Sequence, residues 1–508
     1  MESSRKFTRR SILGIGATSV AFTVLGLTAC QQPAPAPTAA PAAKPAEAPK
    51  PTEAPKPTTA PAAAATAAPA PTTAPAAKPT EAPKPTVAAK PAAKGATGTV
   101  RYQNRSDDVT IKAETEVIQS IFEKNNPGIK VSIEPAPDSR DEKLITAMVG
   151  GNAPDVFESW SDNVTQFADR GQVTDVEPLV KRDFTADDLK DFYPWQWRDF
   201  MIPTAQGSKI RFGVPKYVNV MVIWYNKDMF EKAGIKPPDD SWTHDTYAEV
   251  ARKLTVKKGD QIETFGLHYP VWSWDRYWYK IEAWGGMVRD PNDDTKATFD
   301  SPEALAAFEW SRKLLWDDKA MAQRLLLLGT GTSYNTQALF ASGKFAMNED
   351  GFYPFSMARN IQKKIRWGWA HTPPGPKGRK VLGTTDGYVL WKNSKVPDAA
   401  WELMKYLSGP DHQKARNKAV GNLPVRFSAL ADWKESIVKA YPELADANPD
   451  IGPKIMEMGY AGNRQFFKKD AEARQIVVPA LEKVFQVGNT PVTYFKEIAE
   501  QVTKKMRA

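Results

Sequence analysis

The chain has 508 residues, with 68 basic against 59 acidic side chains and a formal charge of +9. Most of that charge is N-terminal: Met1–Cys30 carries +3 and Gln31–Lys94 carries +4, leaving +2 for the rest, which argues against a nucleic-acid-binding face. One cysteine, Cys30, excludes a disulfide framework and a thiolate metal cluster, and the four histidines show no zinc-ligand spacing.

Met1–Cys30 has the order of an export signal: a basic start, the apolar run from Ile12 to Leu27, then small residues. Arg9-Arg10 resembles a twin-arginine signal, with Ile12 and Gly14 where Phe and Lys are usual, so the export route stays open. Leu27-Thr28-Ala29-Cys30 resembles a bacterial lipobox, which implies cleavage before Cys30 and its lipidation. That places the protein on the outer face of the cytoplasmic membrane. Residues 31–96 follow as an Ala/Pro/Thr/Lys tether in which KPTEAPKPT occurs twice, at Lys50–Thr58 and Lys78–Thr86. Seventeen prolines in Gln31–Lys94 forbid a packed core. In polyproline II conformation, at ~3.1 Å per residue, the segment would reach up to ~200 Å.

The body begins with an expected strand, Thr99–Gln103, and a helix, Ile111–Asn125, stopped by Pro127-Gly128. A strand at Ile129–Ile133, a helix at Arg140–Val149 and a buried strand at Asp155–Ser159 follow. This alternation predicts an α/β fold with a mostly parallel sheet, and ligands of such sheets bind beyond the carboxyl ends of strands. Trp160-Ser161-Asp162 stands at one such end. Val218–Tyr225 reads as a strand, Lys227–Ala233 and Asp245–Leu254 as helices.

Tyr269–Trp284 then holds seven aromatic residues in sixteen positions. Trp274, Tyr277, Trp278, Ile281 and Trp284 recur at helical spacing, which makes a core-facing stripe the plain reading. Helices are expected at Ser301–Leu315 and Thr336–Ser342, and a strand at Phe345–Asn348. A strand at Gly387–Trp391 and helices at Pro397–Leu407, Pro479–Phe485 and Thr490–Met506 complete the chain.

Several stretches together resemble the extracellular solute-binding proteins of ABC importers, the large family that includes the maltodextrin-binding proteins. Gly150–Val156 (GGNAPDV) is similar to the family's G-x-x-PD-V/I pattern, and Trp224–Pro237 to its YNKDLFEKAGI-P stretch, with Trp242 after it. Ser342–Gly351, Asp398–Leu407 and Gly421–Ala429 resemble three further family segments, in family order. The resemblance implies a periplasmic-binding-protein-like fold of type II: two α/β lobes joined by a hinge, with the ligand cleft between them. Lobe 1 is expected at 97–218 plus about 392–436, and lobe 2 at 219–391 plus about 437–508, with the C-terminal helices.

It also implies a substrate-binding component that closes on a solute, most naturally a sugar or oligosaccharide, and hands it to the transmembrane permease subunits. Neither a cofactor nor a metal is implied, and the protein is expected to be a monomer. The residues it points to are Trp160 and Asp162, Asn219 in the hinge-crossing strand, Tyr353, and the loop of Thr385 and Asp386. By register to Gly285-Gly286 it moves Trp278 to the cleft, and Trp272, which precedes the helix, is a further candidate. Asp350 joins Asn219, Asp162 and Asp386 as a group to satisfy sugar hydroxyls, since an unpaired buried polar group costs roughly 1–3 kcal/mol. A solvated carboxylate or a helix cap is the plain alternative for each acid. Two rival functions stand beside this one: a secreted carbohydrate-active enzyme, and a receptor for a non-sugar solute. Glu349-Asp350 could suggest paired catalytic carboxylates, but adjacent strand residues point to opposite faces.

Overall fold

The computed structural model describes residues 95–106, 108–136, 140–271, 273–323, 336–384, 386–458, 465–488 and 490–508. The export signal, Cys30, the tether up to residue 94, and the site candidates Trp272 and Thr385 lie outside the described residues.

Ten strands build two five-stranded sheets. In chain order they are β1 (Gly98–Asn104), β2 (Ile129–Pro135), β3 (Val156–Trp160), β4 (Gly213–Pro215) and β5 (Met221–Asn226), then β6 (Val256–Lys258), β7 (Gln261–His268), β8 (Phe345–Gly351), β9 (Trp367–Ala370) and β10 (Asp386–Leu390). The first sheet has the order β2-β1-β3-β10-β4 and the second β9-β5-β8-β7-β6. β1 is parallel to β2 and β3, while β10 is antiparallel to both β3 and β4. In the second sheet β8 runs parallel to β7 and antiparallel to β5. Every residue of β5, MVIWYN, is buried, as a continuous apolar run requires of a strand paired on both sides and covered on both faces. The sequence division at about 392 put β10 in the second lobe; its pairing places it inside the first sheet.

Local signals set the element ends. Asn226 caps the helix Lys227–Lys232 by accepting from the Met229 amide, and Ser301 caps Pro302–Arg312 through Ala304. The aromatic helix Asp275–Trp284 stops at Gly285, whose φ of +97° lets its amide and that of Gly286 return to the last turn. The first long helix starts at Asp108 and widens into π-type turns over Ile118–Glu123.

The expected strand Val218–Tyr225 divides in two. Only Met221–Asn226 joins a ladder of the second sheet; Val218 and Val220 form isolated bridges with Leu423 and Gly383. Those bridges belong to three segments running side by side from one sheet toward the other: 216–220 after β4, 382–384 before β10, and 421–425 after the helix Pro410–Val420. Backbone bonds tie them together: Lys216 N–H to Asp386 O (2.9 Å), Thr384 N–H to Asn219 O (2.8 Å), Met221 N–H to Leu382 O (3.0 Å) and Val218 N–H to Leu423 O (2.9 Å). The ends of these crossings are where residues from both sheets meet.

Candidate functional site

Trp160 ends β3 and is half-buried; its register partner on the neighbouring strand is Asp386, the first residue of β10. Arg105, just past the carboxyl end of β1, ties the two together. Its guanidinium lies over the Trp160 ring, 4.2 Å from the centroid, and its Nη1 donates to Asp386 Oδ1 at 2.9 Å. Its backbone N–H donates to Glu158 Oε2 at 2.8 Å, and that carboxylate also pairs with Lys216 at 2.5 Å and accepts from the Tyr102 hydroxyl. A second buried pair, Arg416 with Glu114 at 2.6 Å, stands beside it. Burial pushes the Glu114 carboxyl up, but Arg416 and Lys216 outweigh it and hold the group below its ordinary range. The Lys216 ammonium is pushed down by burial, against the pull of Glu158. Tyr217 lies between these pairs, with Arg416 at 5.4 Å and Lys216 at 5.5 Å from its ring; burial, then Asp386, raises its hydroxyl well above the ordinary value.

The second sheet contributes a matching edge. Asp350 on β8 accepts from Arg276 Nη2 at 3.1 Å, and Arg276 comes from the first turn of the aromatic helix. Asn219, 2 % exposed on the first crossing, accepts the Phe352 N–H at 2.8 Å, and its amide donates to the Tyr353 hydroxyl. Gly351 makes this approach feasible: a Cβ there would come within 2.5 Å of both Asn219 Nδ2 and the Tyr353 oxygen. Burial, then Asp350, raises the Tyr353 hydroxyl too; Asp386 acts in the same direction, so the tyrosine senses carboxylates from both sheets.

The structure thus brings Trp160, Asn219, Asp350, Tyr353 and Asp386 into one region. Of Asp162 it describes only the backbone, in the first turn of the helix Ser161–Asp169. Trp278, expected at the cleft, is placed elsewhere. It is 1 % exposed and packs edge-on against Phe466 at 5.3 Å, with the Arg474 guanidinium 5.5 Å from its ring centroid. Asp350 and Glu349 instead meet the Arg276, Tyr279 and Lys280 side of that helix. Trp274 against Phe299 and Tyr277 against Phe308 and Phe485 are core contacts, as the stripe predicts.

Sequence reasoning missed Arg105, Tyr217 and Arg276. Arg105 had a usable signal, its place just beyond a strand's carboxyl end. Tyr217 is two residues before Asn219 on the same crossing, and Arg276 is the cation within the aromatic stretch nearest its start. Several buried polar atoms of this region have no hydrogen-bond partner among the described residues: Arg105 Nε, Arg276 Nε, Thr384 Oγ1 and Gln196 Oε1. Donors and acceptors left in this state at the meeting of two sheets fit a ligand with hydroxyl groups.

Residues 106–414 match the family described as bacterial extracellular solute-binding protein. A putative binding protein of Brucella abortus is 27 % identical over 315 residues, covering 61 % of this chain and 72 % of the relative. The maltodextrin-binding protein MdxE of Bacillus subtilis is 23 % identical over 371 residues, covering 70 % and 81 %. Among solved structures, the ABC substrate-binding protein Lmo0181 of Listeria monocytogenes in complex with cycloalternan superposes with a TM-score of 0.68 at 22 % identity, covering 81 % of this chain and 99 % of that one. The family match spans more than half of the chain, and the two sheets with their crossings are the fold of that neighbour. The chain belongs to the bacterial extracellular solute-binding proteins and has the type II fold of their maltodextrin-binding-like members.

Proposed function

We propose that this chain is the lipid-anchored receptor of an ABC importer, capturing a sugar or oligosaccharide between its two lobes and delivering it unchanged to the permease. The observation that carries the reading is the pair of Asp–Arg couples, Arg105–Asp386 and Arg276–Asp350, set around Tyr217, Asn219 and Tyr353 beside the Trp160 ring. Carboxylates accept from sugar hydroxyls, guanidinium N–H groups donate to them, and an indole ring takes the apolar C–H face of the sugar. The names of two similar proteins, one a maltodextrin binder and one bound to cycloalternan, favour the same class. Trp160, Asn219, Asp350, Tyr353 and Asp386 are the ligand contacts in this reading, with Asp162, Trp272 and Thr385 as further members. The lobes are taken to meet at the crossings, with β10 assigned to lobe 1 and the signal and tether preceding Thr97.

Titration of intrinsic fluorescence with a carbohydrate panel tests it, with the sugar analysed afterwards. Quenching by a sugar recovered intact is the expected result. Cleavage of the sugar would make the protein an enzyme, and silence across the panel would point to a non-sugar solute. For the anchor, Cys30→Ala is expected to abolish incorporation of a labelled fatty acid in cells; continued labelling would remove Cys30 as the lipidated residue.

A further inference from the structure

The charges around this site cancel with unusual completeness. Arg105 is paired with Asp386 at 2.9 Å, Arg276 with Asp350 at 3.1 Å, Lys216 with Glu158 at 2.5 Å and Arg416 with Glu114 at 2.6 Å. Asp275, half-buried beside Arg276 and bonded to the Ser273 hydroxyl, adds one further negative charge. The tyrosines contribute hydroxyls rather than charges. Each of these four cations already has a carboxylate partner, and a bound carboxylate beside Tyr353 would meet both Asp350 and Asp386. Desolvating an ion without a compensating partner is costly, and like charge built against the wrong ligand is an effective means of specificity. The two guanidinium groups still have a donor each to give: Nε of Arg105 and Nε of Arg276 are buried without a partner among the described residues.

We propose that Asp350 and Asp386 are the charge-selectivity residues of this site. Each neutralises an arginine that still donates to the ligand, so the site takes an uncharged, hydroxyl-rich solute and rejects its anionic counterpart. This rests on the carbohydrate reading above and narrows it. Without its aspartate, either arginine presents a free planar fork suited to a carboxylate or a phosphate. Loss of the carboxylate should therefore change which ligand is preferred, and not merely weaken binding.

The test is calorimetric titration of the full chain with matched pairs, glucose with glucuronate, galactose with galacturonate and mannose with mannuronate, plus maltotriose and, as an anionic non-sugar, glycerol 3-phosphate. The wild type is expected to favour the neutral member of whichever pair it binds by at least about tenfold. Asp386→Asn and Asp350→Asn are expected to narrow that preference at least about fivefold, by gaining affinity for the anion. Asp386→Glu and Asp350→Glu keep the charge and should keep the preference, even where affinity falls. A wild type that takes uronates as readily as neutral sugars overturns the inference and leaves the carbohydrate reading standing. Equal proportional loss of neutral and anionic ligands in the asparagine variants also overturns it, because the carboxylates would then be ordinary contacts. Silence toward every sugar, with or without binding of glycerol 3-phosphate, removes the carbohydrate reading and this inference together.

Discussion

The two halves of the site treat buried charge in opposite ways. On the first-sheet side the groups form a chain: the Glu114–Arg416 pair lies next to Lys216–Glu158, and Glu158 takes the Arg105 amide, whose side chain holds Asp386. On the second-sheet side they are kept apart by the alternation of one strand. Asp350 pairs with Arg276 in the site, while its neighbour Glu349 is fully buried with Lys280 and the Tyr279 hydroxyl. Lys280 is further enclosed by the Tyr269 ring at 4.3 Å and the Trp310 ring at 4.5 Å. If this region binds the ligand as proposed, stability and binding should therefore be separable on the second-sheet side and joined on the first.

The comparison can be broken in four ways, the largest effect first. Each half holds a histidine that burial keeps neutral: His244, pushed down to about 3 by burial and then by Lys280, and His412, pushed down to about 4 by burial. Both folded values lie below the ordinary ~6.5, so on acidification the unfolded chain takes up protons before the folded one does. Stability should fall from about pH 6.5 down to about pH 4 through His412 and to about pH 3 through His244, by up to ~1.4 kcal/mol per pH unit for each. Urea denaturation across that range measures it, and a flat profile between pH 6.5 and 4 would show that neither is held neutral. Glu349→Ala leaves Lys280 buried without its partner and should destabilise by ~3–5 kcal/mol, with the affinity of the folded protein within about twofold of wild type. An affinity loss in that variant comparable to its stability loss would mean the two halves are alike.

Trp278→Ala should cost ~3–5 kcal/mol of stability through the cavity left against Phe466, again with little change in binding. A tenfold loss of affinity without a loss of stability would return Trp278 to the site. Trp160→Ala should do the reverse: at least about tenfold weaker sugar binding, the ~1.4 kcal/mol scale of one aromatic contact, with a small change in the denaturation midpoint. Unchanged affinity would exclude Trp160 as a stacking surface.

Contiguous patterns were legible. The helices Arg140–Val149 and Pro397–Leu407 were expected at the bounds observed, because their turns and apolar spacing are written within a dozen residues. The site was legible only in part. Asn219 and Tyr353 lie close to stretches with a family pattern, shortly before Trp224 and shortly after Gly351, whereas the importance of Arg105 depends on a strand 281 residues further along the chain, which brings Asp386 to it. Such a pairing leaves no local trace. Trp278 is instructive in the other direction: its helical spacing said core, family register said cleft, and the packing against Phe466 sides with the spacing. One turn of helix, which separates Arg276 from Lys280, also separates a residue of the proposed site from a core one.

The position of β10 has a consequence for how the protein is made. In the first sheet it lies between β3 and β4, pairing residue 160 with residue 386. The sheet whose strands leave the ribosome first is thus completed late, and one edge of β3 stays unpaired until most of the chain has been synthesised. Long-range pairing of this kind slows folding and exposes strand edges meanwhile. The free edge of β3 is consequently exposed in the nascent chain for as long as the residues between 160 and 386 take to be synthesised.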